Sequence, residues 1–439
     1  MTQPSLSRRS FIRLAGGLLA GFAVQGCQPP DPRPSTIQLV YQDWSTEWFP
    51  PMAQRMLEDF AASHPNIHVF YIPDPSNLEE SLLFDMQAGT APDVFQSCCT
   101  LFPTLAQAGY TLDLRPYVEA DLDQATIEDW DGAQYRSFFT PDGRQYGLPK
   151  YHGALALFYN KDLFDQYDVP YPDASWDYDD YHEAMLALTH DQDDDGETDL
   201  WGSMTDISWD RLQIHANAWG GHFVDPEDPT HSLMASPETL AALEWIHARM
   251  WDDRVMASFL DVQNLSTRQA FIQERVAMVE DGSWALRDIL SESLFRVGVA
   301  PMPTGPERRV TLATTDGFGI YIATQFPDEA WELLKFLISP EYGRAMIRAH
   351  FLQPARQSLV GEWTAYIQEQ FPEKIDEASL LAFADGHIKG YSVTAEIFAN
   401  MTNVKALADA VWEQIFTLGQ GPVTLMEDVS RQIEAIQGG

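Results

Sequence analysis

Ile37-Gln-Leu-Val-Tyr alternates apolar and polar positions before it reaches Asp43 and Trp44. That two-residue period predicts a half-buried strand running into a loop. From Met52 to His64 the apolar residues return at helical spacing and stop ahead of Pro65, a residue that disfavours helix in its predecessor. Ile67-His-Val-Phe-Tyr-Ile predicts a second strand. Leu78 to Ala88 predicts a helix ended by Gly89, and Asp93-Val-Phe-Gln a third strand. This β-α-β-α-β alternation implies a mostly parallel sheet with helices on its faces. Tyr146-Gly-Leu-Pro and Ala154-Leu-Ala-Leu-Phe-Tyr-Asn mark another strand region. Helices are predicted around Tyr178 to Leu188, Pro237 to Trp251, Thr267 to Glu274, Trp284 to Ser291, Asp328 to Ile338 and Pro340 to His350. From Val404 to Gln437 the pattern is helical throughout. There is no internal repeat.

Before all of these lies a different pattern. Ser7-Arg8-Arg9-Ser10-Phe11-Ile12-Arg13 precedes a short apolar run, Leu14 to Val24, and then Cys27. A charged start, a short apolar run and small residues ahead of a cysteine make an export signal. The run is shorter than the about 20 residues that span a bilayer. The paired arginines resemble the twin-arginine signal, and Val24-Gln25-Gly26-Cys27 resembles the lipobox before a lipidated cysteine. Residues 1–26 are therefore expected to be a signal peptide. Residues 27–36, with Pro29, Pro30, Pro32 and Pro34, are expected to be a stiff tether. Later apolar runs are broken by charge. The expectation is an extracytoplasmic protein held to a membrane by a lipid on Cys27.

At 439 residues the chain is too long for one ordinary core, and 45% hydrophobic content can fill more than one. The 27 Lys+Arg against 65 Asp+Glu give a net charge of −38. That excludes nucleic acid as an expected partner, because phosphate binding needs basic surface. Beyond Cys27 only the adjacent Cys98 and Cys99 remain. They support no disulfide framework, and buried free thiols are expected.

Five strings occur in order: Asp142-Gly-Arg-Gln-Tyr-Gly-Leu-Pro, Phe158-Tyr-Asn-Lys-Asp-Leu-Phe164, Met278-Val-Glu-Asp-Gly-Ser-Trp284, Gly317-Phe-Gly-Ile, and Ala330-Trp-Glu-Leu-Leu-Lys-Phe-Leu-Ile-Ser-Pro340. Together they resemble the family 1 extracellular solute-binding proteins of ABC importers, relatives of maltose-binding protein. The resemblance covers residues 36 to 437. It implies an α/β, two-lobed periplasmic-binding-protein fold (type II-like) with a ligand cleft between lobes that close by a hinge. It places lobe 1 at 37–149 plus 317–352 and lobe 2 at 150–316 plus 353–439. It further implies a monomer that captures a sugar or oligosaccharide and delivers it to ABC permease subunits.

A sugar cleft wants flat rings beneath the apolar faces of the ligand and carboxylates or amides around its hydroxyls. Thirteen Trp and sixteen Tyr supply the rings. Trp44, with Asp43 beside it, follows the first strand, at the carboxyl edge where ligands bind in parallel sheets. The resemblance adds Asp281 and Trp284 from Asp-Gly-Ser-Trp, and Trp219 ahead of Gly220-Gly221. It adds Tyr151 and His152 at the first crossover between lobes, Asp316 and Phe318 at the second, and Arg356 near the third. Against the cleft reading, each ring could be core and each polar residue a solvated loop group.

Asp191, Asp193, Asp195 and Asp199 fall at positions 1, 3, 5 and 9 of an acidic loop, with Gly196 at position 6 and Glu197 at position 7. That resembles an EF-hand calcium loop, except that Gly202 stands where the bidentate glutamate belongs. No cofactor is required by these residues, and structural calcium is the one that this loop suggests. The motifs HExxH, G-x-S-x-G, Walker A and the dinucleotide fingerprint are missing, so no enzyme activity is expected. The alternatives are a secreted carbohydrate-active enzyme, which needs a carboxylate pair across a sugar bond, and a binding protein for a polar non-sugar such as a glycerophosphodiester.

Overall fold

The computed structural model describes residues 36–438. The export signal, Cys27 and the prolines of the tether lie outside the described residues.

The alternating stretch folds as β1 (Ile37–Asp43). The helix Phe49–Ser63 carries Pro50 and Pro51 in its first turn, where a missing N–H costs nothing, and ends at His64. It leads to β2 (Ile67–Pro73). The helix Leu78–Ala88 stops at Gly89, whose φ of 73° is the left-handed cap that glycine adopts without strain, and β3 (Val94–Ser97) follows. Strands β1 and β2 pair parallel over their whole length, Ile37 opposite Ile67 and Asp43 opposite Pro73, and β3 pairs parallel on the other side of β1.

The chain then runs through β4 (Leu148–Pro149), β5 (Leu155–Asn160), β6 (Trp201–Met204), β7 (Val276–Gly282), β8 (Val297–Ala300), β9 (Thr311–Leu312), β10 (Gly317–Ile320) and, near the C-terminus, β11 (Ser392–Val393). They make a five-stranded sheet, β2-β1-β3-β10-β4, a four-stranded sheet, β6-β7-β5-β8, and a small pair, β11-β9. The sheets are less parallel than the sequence pattern implies. β10 runs antiparallel to both β3 and β4, and β5 runs antiparallel to both β7 and β8. The parallel rule holds where one helix links consecutive strands. It fails at β10, which rejoins the first sheet only after the chain has built the second.

The fold is two-lobed, a mixed α/β arrangement with one sheet per lobe. Around the first sheet pack Leu39, Tyr41, Phe60, Phe318, Trp331 and Tyr342, all buried. Around the second pack two cores, one holding Tyr181, Trp209 and Trp412, the other Phe158, Phe271 and Trp363. The C-terminal stretch is interrupted. The helix Met401–Trp412 widens into a π turn at Glu413–Thr417 before the last helix, Met426–Gln437, begins. Gly419, at φ 60°, Gly421, at φ 117°, and Pro422 fill the break.

Candidate functional site

Chain passages between the sheets lie side by side. The segment 150–154 joins β4 to β5, and 313–316 joins β9 to β10. Tyr151 bridges Pro354, and Ala154 bridges Ala313. Lys150 N donates to Asp316 O at 3.0 Å, His152 N to Gln353 O at 3.1 Å, and Thr314 N to Gly153 O at 2.8 Å. Gln134 adds a side-chain tie, its amide donating to Tyr151 O at 2.9 Å and Thr314 O at 2.6 Å.

At the end of β1 the Asp43 carboxylate is fully buried. It accepts from Tyr41 Oη, from Lys150 Nζ and, at 2.7 Å, from Trp44 N. Lys150 is the partner that sequence reasoning missed. Its side chain is sealed from solvent like that of Asp43. Its ammonium sits 3.2 Å from the centroid of the Trp44 ring and 4.4 Å from that of Phe49, a cation–π arrangement. Burial pushes the Asp43 carboxyl up and the Lys150 ammonium down, and each charge pulls the other back. Asp316 is buried nearby. Burial pushes it up to about 6, opposed by Lys150 and by the Thr314 side chain. Asp74 is pushed up to about 7 by burial and then by the Asp43 charge. One lysine thus balances three carboxyls. The signal available in the sequence was rarity: one of six lysines stands directly after Leu148-Pro149, at the crossover.

Trp44 is half-buried and meets Trp48, Phe49 and Tyr151 edge-on, with centroids 6.0, 5.4 and 5.5 Å away. Tyr151 is itself buried, and burial raises its hydroxyl well above the ordinary value.

The other lobe offers β7. It ends at Gly282, and a Cβ there would stand 2.2 Å from the Trp284 ring. Only glycine lets that ring fold back over the strand end. Trp284 is partly buried and packs against all three large cores, so it sits where the lobes meet. Arg211 lies over its ring, 5.6 Å from the centroid. Asp281 pairs with Arg268 at 3.0 Å and Arg211 at 3.9 Å, and Arg268 also reaches Asp288 at 2.7 Å. These residues line a polar cavity of about 360 Å³ together with Asp206, Thr267 and Glu292. Neither arginine was singled out from sequence. Arg268 owes its place to the capping box of Ser266 and Gln269, which starts its helix one residue ahead of it.

Several expected cleft residues go elsewhere. Trp219 packs edge-on against Tyr178, with centroids 4.5 Å apart, and near Trp245 at 6.1 Å, inside the second lobe. Phe318 is wholly buried between Tyr41 and Tyr342 in the first sheet's core. Arg356 is buried, donates to Ile338 O at 3.1 Å and lies over Trp130 at 4.8 Å, which makes it a clamp within the first lobe. Phe318 and Arg356 are thus buried by neighbouring elements although the sequence places them at a strand end and in a loop, while Trp219 stays partly buried against the core. His152 is wholly buried and faces Asp131 and His387. The cysteines depart from expectation too. Cys98 is half-buried and Cys99 exposed, both free, with Sγ atoms 2.6 Å apart.

In the acidic loop, carboxylate oxygens of Asp191, Asp193 and Asp195 lie within 4.8 Å of one another, all exposed. Asp191 accepts from Gly196 N at 2.7 Å, Asp195 from Glu197 N at 2.8 Å and Asp199 from Gln192 N at 2.9 Å. Glu197 and Asp199 stand outside the three-carboxylate group.

The family model described as bacterial extracellular solute-binding protein matches residues 43–344. A binding protein of Brucella abortus (strain 2308) is 27% identical over 350 residues, covering 77% of this chain and 79% of that one. The maltotriose-binding protein of Pyrococcus abyssi is 25% identical over 302 residues, covering 66% of this chain and 60% of its own. Among solved structures, an ABC substrate-binding protein from Listeria monocytogenes in complex with cycloalternan superposes with a TM-score of 0.78 at 22% identity, over 92% of this chain and 99% of that one.

Proposed function

This chain belongs to the bacterial extracellular solute-binding protein family, and from that premise we propose that it captures a sugar or oligosaccharide between its lobes and delivers it to the permease of an ABC importer. The observation that carries the reading is Trp284. It is an aromatic ring at the meeting of both lobes, beside a polar cavity walled by Arg211, Arg268, Asp281 and Asp288. A sugar lays its apolar face on such a ring and gives its hydroxyls to the surrounding charged groups. Relatives whose names carry maltotriose and maltodextrin support this ligand class.

Titration calorimetry with maltotriose, a cyclic glucan and glycerophosphocholine tests it. Saturable heat with a glucan and unchanged sugar on recovery is the expected result. Shorter sugars in the recovered sample would mean a carbohydrate-active enzyme. Heat with glycerophosphocholine alone would mean a receptor for a phosphodiester.

The further expectations keep their place in this reading. The protein is a monomer, exported by the twin-arginine route and anchored through Cys27. Cys27→Ser should move it from the membrane fraction to the soluble fraction with its melting temperature unchanged. We propose that Asp191, Asp193 and Asp195, whose carboxylates gather, hold a structural calcium ion, with Glu197 and Asp199 drawn in from the same loop. Calcium should raise the melting temperature by binding only the folded state, and Asp193→Ala with Asp195→Ala should remove that response.

A further inference from the structure

We infer that Asp131, His152 and His387 form a binding site for a divalent transition metal, of which zinc fits best, placed where the first crossover meets both lobes. The three residues come from separate parts of the chain. Asp131 caps the N-terminus of the helix Gly132–Ser137, His152 belongs to the crossover between β4 and β5, and His387 lies in the helix Glu377–Lys389. One ligand atom from each lies within 4.8 Å of the other two. Asp131 Oδ2 is 3.7 Å from His152 Nε2 and 3.9 Å from His387 Nδ1. An ion with ligands at about 2.0–2.1 Å holds them about 3.4 Å apart in a tetrahedron. The two pairs that share the carboxylate therefore need to close by only about half an ångström.

A second observation points to a ligand. His152 is wholly buried, yet its Nε2 has no hydrogen-bond partner and faces the other two groups. An unpaired buried polar nitrogen is costly. Coordination of a cation satisfies it.

The surroundings hold the donors in place. Asp131 uses Oδ1 to accept Gln134 N at 2.7 Å, which leaves Oδ2 for the site. His387 Nε2 meets the Gln357 amide; with that amide turned so that its oxygen accepts Nε2–H, the Nδ1 lone pair is left for the site. His152 Nδ1 lies 3.1 Å from the Gln353 amide nitrogen, while the oxygen of that amide is buried without a partner. Turned over, the amide gives up a long 3.4 Å bond to Phe383 O, accepts Nδ1–H through its oxygen and leaves the Nε2 lone pair for the metal. Such outer hydrogen bonds fix the tautomer of a metal-bound histidine. Two imidazoles and one carboxylate suit zinc, and a fourth position remains for water. The strongly negative chain raises the local concentration of cations. Bound there, the ion ties the crossover to a cap of one lobe and a helix of the other, and so limits the range of hinge motion.

The test uses the full chain with any affinity tag removed, stripped with a chelator and then dialysed against zinc chloride. Wild type should retain one tightly held zinc per chain and gain melting temperature. Asp131→Asn and His387→Ala should each bind at least tenfold more weakly and lose the gain. Asparagine caps a helix as well as aspartate does, so Asp131→Asn keeps the fold, which circular dichroism verifies. Equimolar calcium should not displace the zinc, which separates this site from the acidic loop. Cobalt in place of zinc should give the visible absorption of a tetrahedral complex in wild type only. Wild type that retains no zinc overturns the inference, as do variants that hold zinc as tightly as wild type, since surface histidines would then account for it.

Discussion

The two lobes carry the same chemical triplet, sealed inside the fold in one and set in the wall of a cavity in the other. At the end of β1 stand Asp43, Trp44 and the Lys150 ammonium on that tryptophan's ring. At the end of β7 stand Asp281, Trp284 and the Arg211 guanidinium over that ring. In the first triplet only Trp44 keeps some exposure. Both charged side chains are sealed, and Tyr41 takes a further lone pair of the carboxylate. In the second, Asp281 and Arg211 are buried too, but they line a cavity of about 360 Å³, and Arg268, in contact with Asp281, keeps more than a quarter of its side chain exposed. A sealed pair spends its hydrogen bonds on the fold, whereas a wet one can exchange solvent for a ligand. The same acid, cation and tryptophan at a strand end thus serve the fold in one lobe and face a cavity in the other.

The contrast breaks most visibly at Lys150. Lys150→Met leaves Asp43 buried without its cation, and loss of one partner from a buried pair costs about 3–5 kcal/mol. Denaturant unfolding should show it, and Asp43→Asn in the same chain should restore most of the loss. A variant as stable as wild type would mean that the pair is solvated.

Next in size is a pH effect. Burial raises Asp316 to about 6, so the folded state holds this proton more tightly than the unfolded one. Its contribution is present below pH about 4 and is lost as pH rises to about 6. Holding the proton up to pH about 6 instead of about 4 corresponds to about 3 kcal/mol as a ceiling. Asp316→Asn should therefore gain on wild type between pH 4 and 7 in unfolding experiments. Parallel curves across that range would show that Asp316 is already ionised without cost.

Trp284→Ala tests the wet side. Loss of a central aromatic anchor costs about 2 kcal/mol, roughly a thirtyfold loss of affinity, with a smaller drop in melting temperature. Trp44→Ala should do the reverse, because that ring carries Lys150 and packs on Phe49 and Tyr151. Calorimetry and melting of both variants decide it, and equal behaviour of the two would erase the comparison. The smallest change is Arg268→Gln. It should cost about 1 kcal/mol of stability or less, since a partly solvated pair contributes little, while ligand affinity falls.

Much of the first lobe was legible from period alone. β1, the helix Phe49–Ser63, β2 and the Gly89 stop all follow from residues a few positions apart. The helix Trp209–Ala218 was not, because nine of its ten residues are buried and no polar face marks its turn. The antiparallel strand β10 was not legible either, since its direction depends on the second sheet having been built first. Tryptophan positions were legible as aromatic supply but not as cleft or core. Trp219 packs edge-on against Tyr178, and nothing within a few residues of it says so.

By itself the sequence determined what depends on near neighbours: the strand and helix periods, the caps, the excess of acid and the order of the family's strings. Tertiary structure alone decided solvation and partnership. Lys150 meets Asp43 across 107 positions, Glu280 meets His215 across 65, and Gln353 meets His152 across 201. A charge near a strand end has the same local sequence whether it is dry or wet. Which it becomes depends on whether a distant segment packs over it, as the crossover does over Asp43, or leaves a cavity, as beside Asp281.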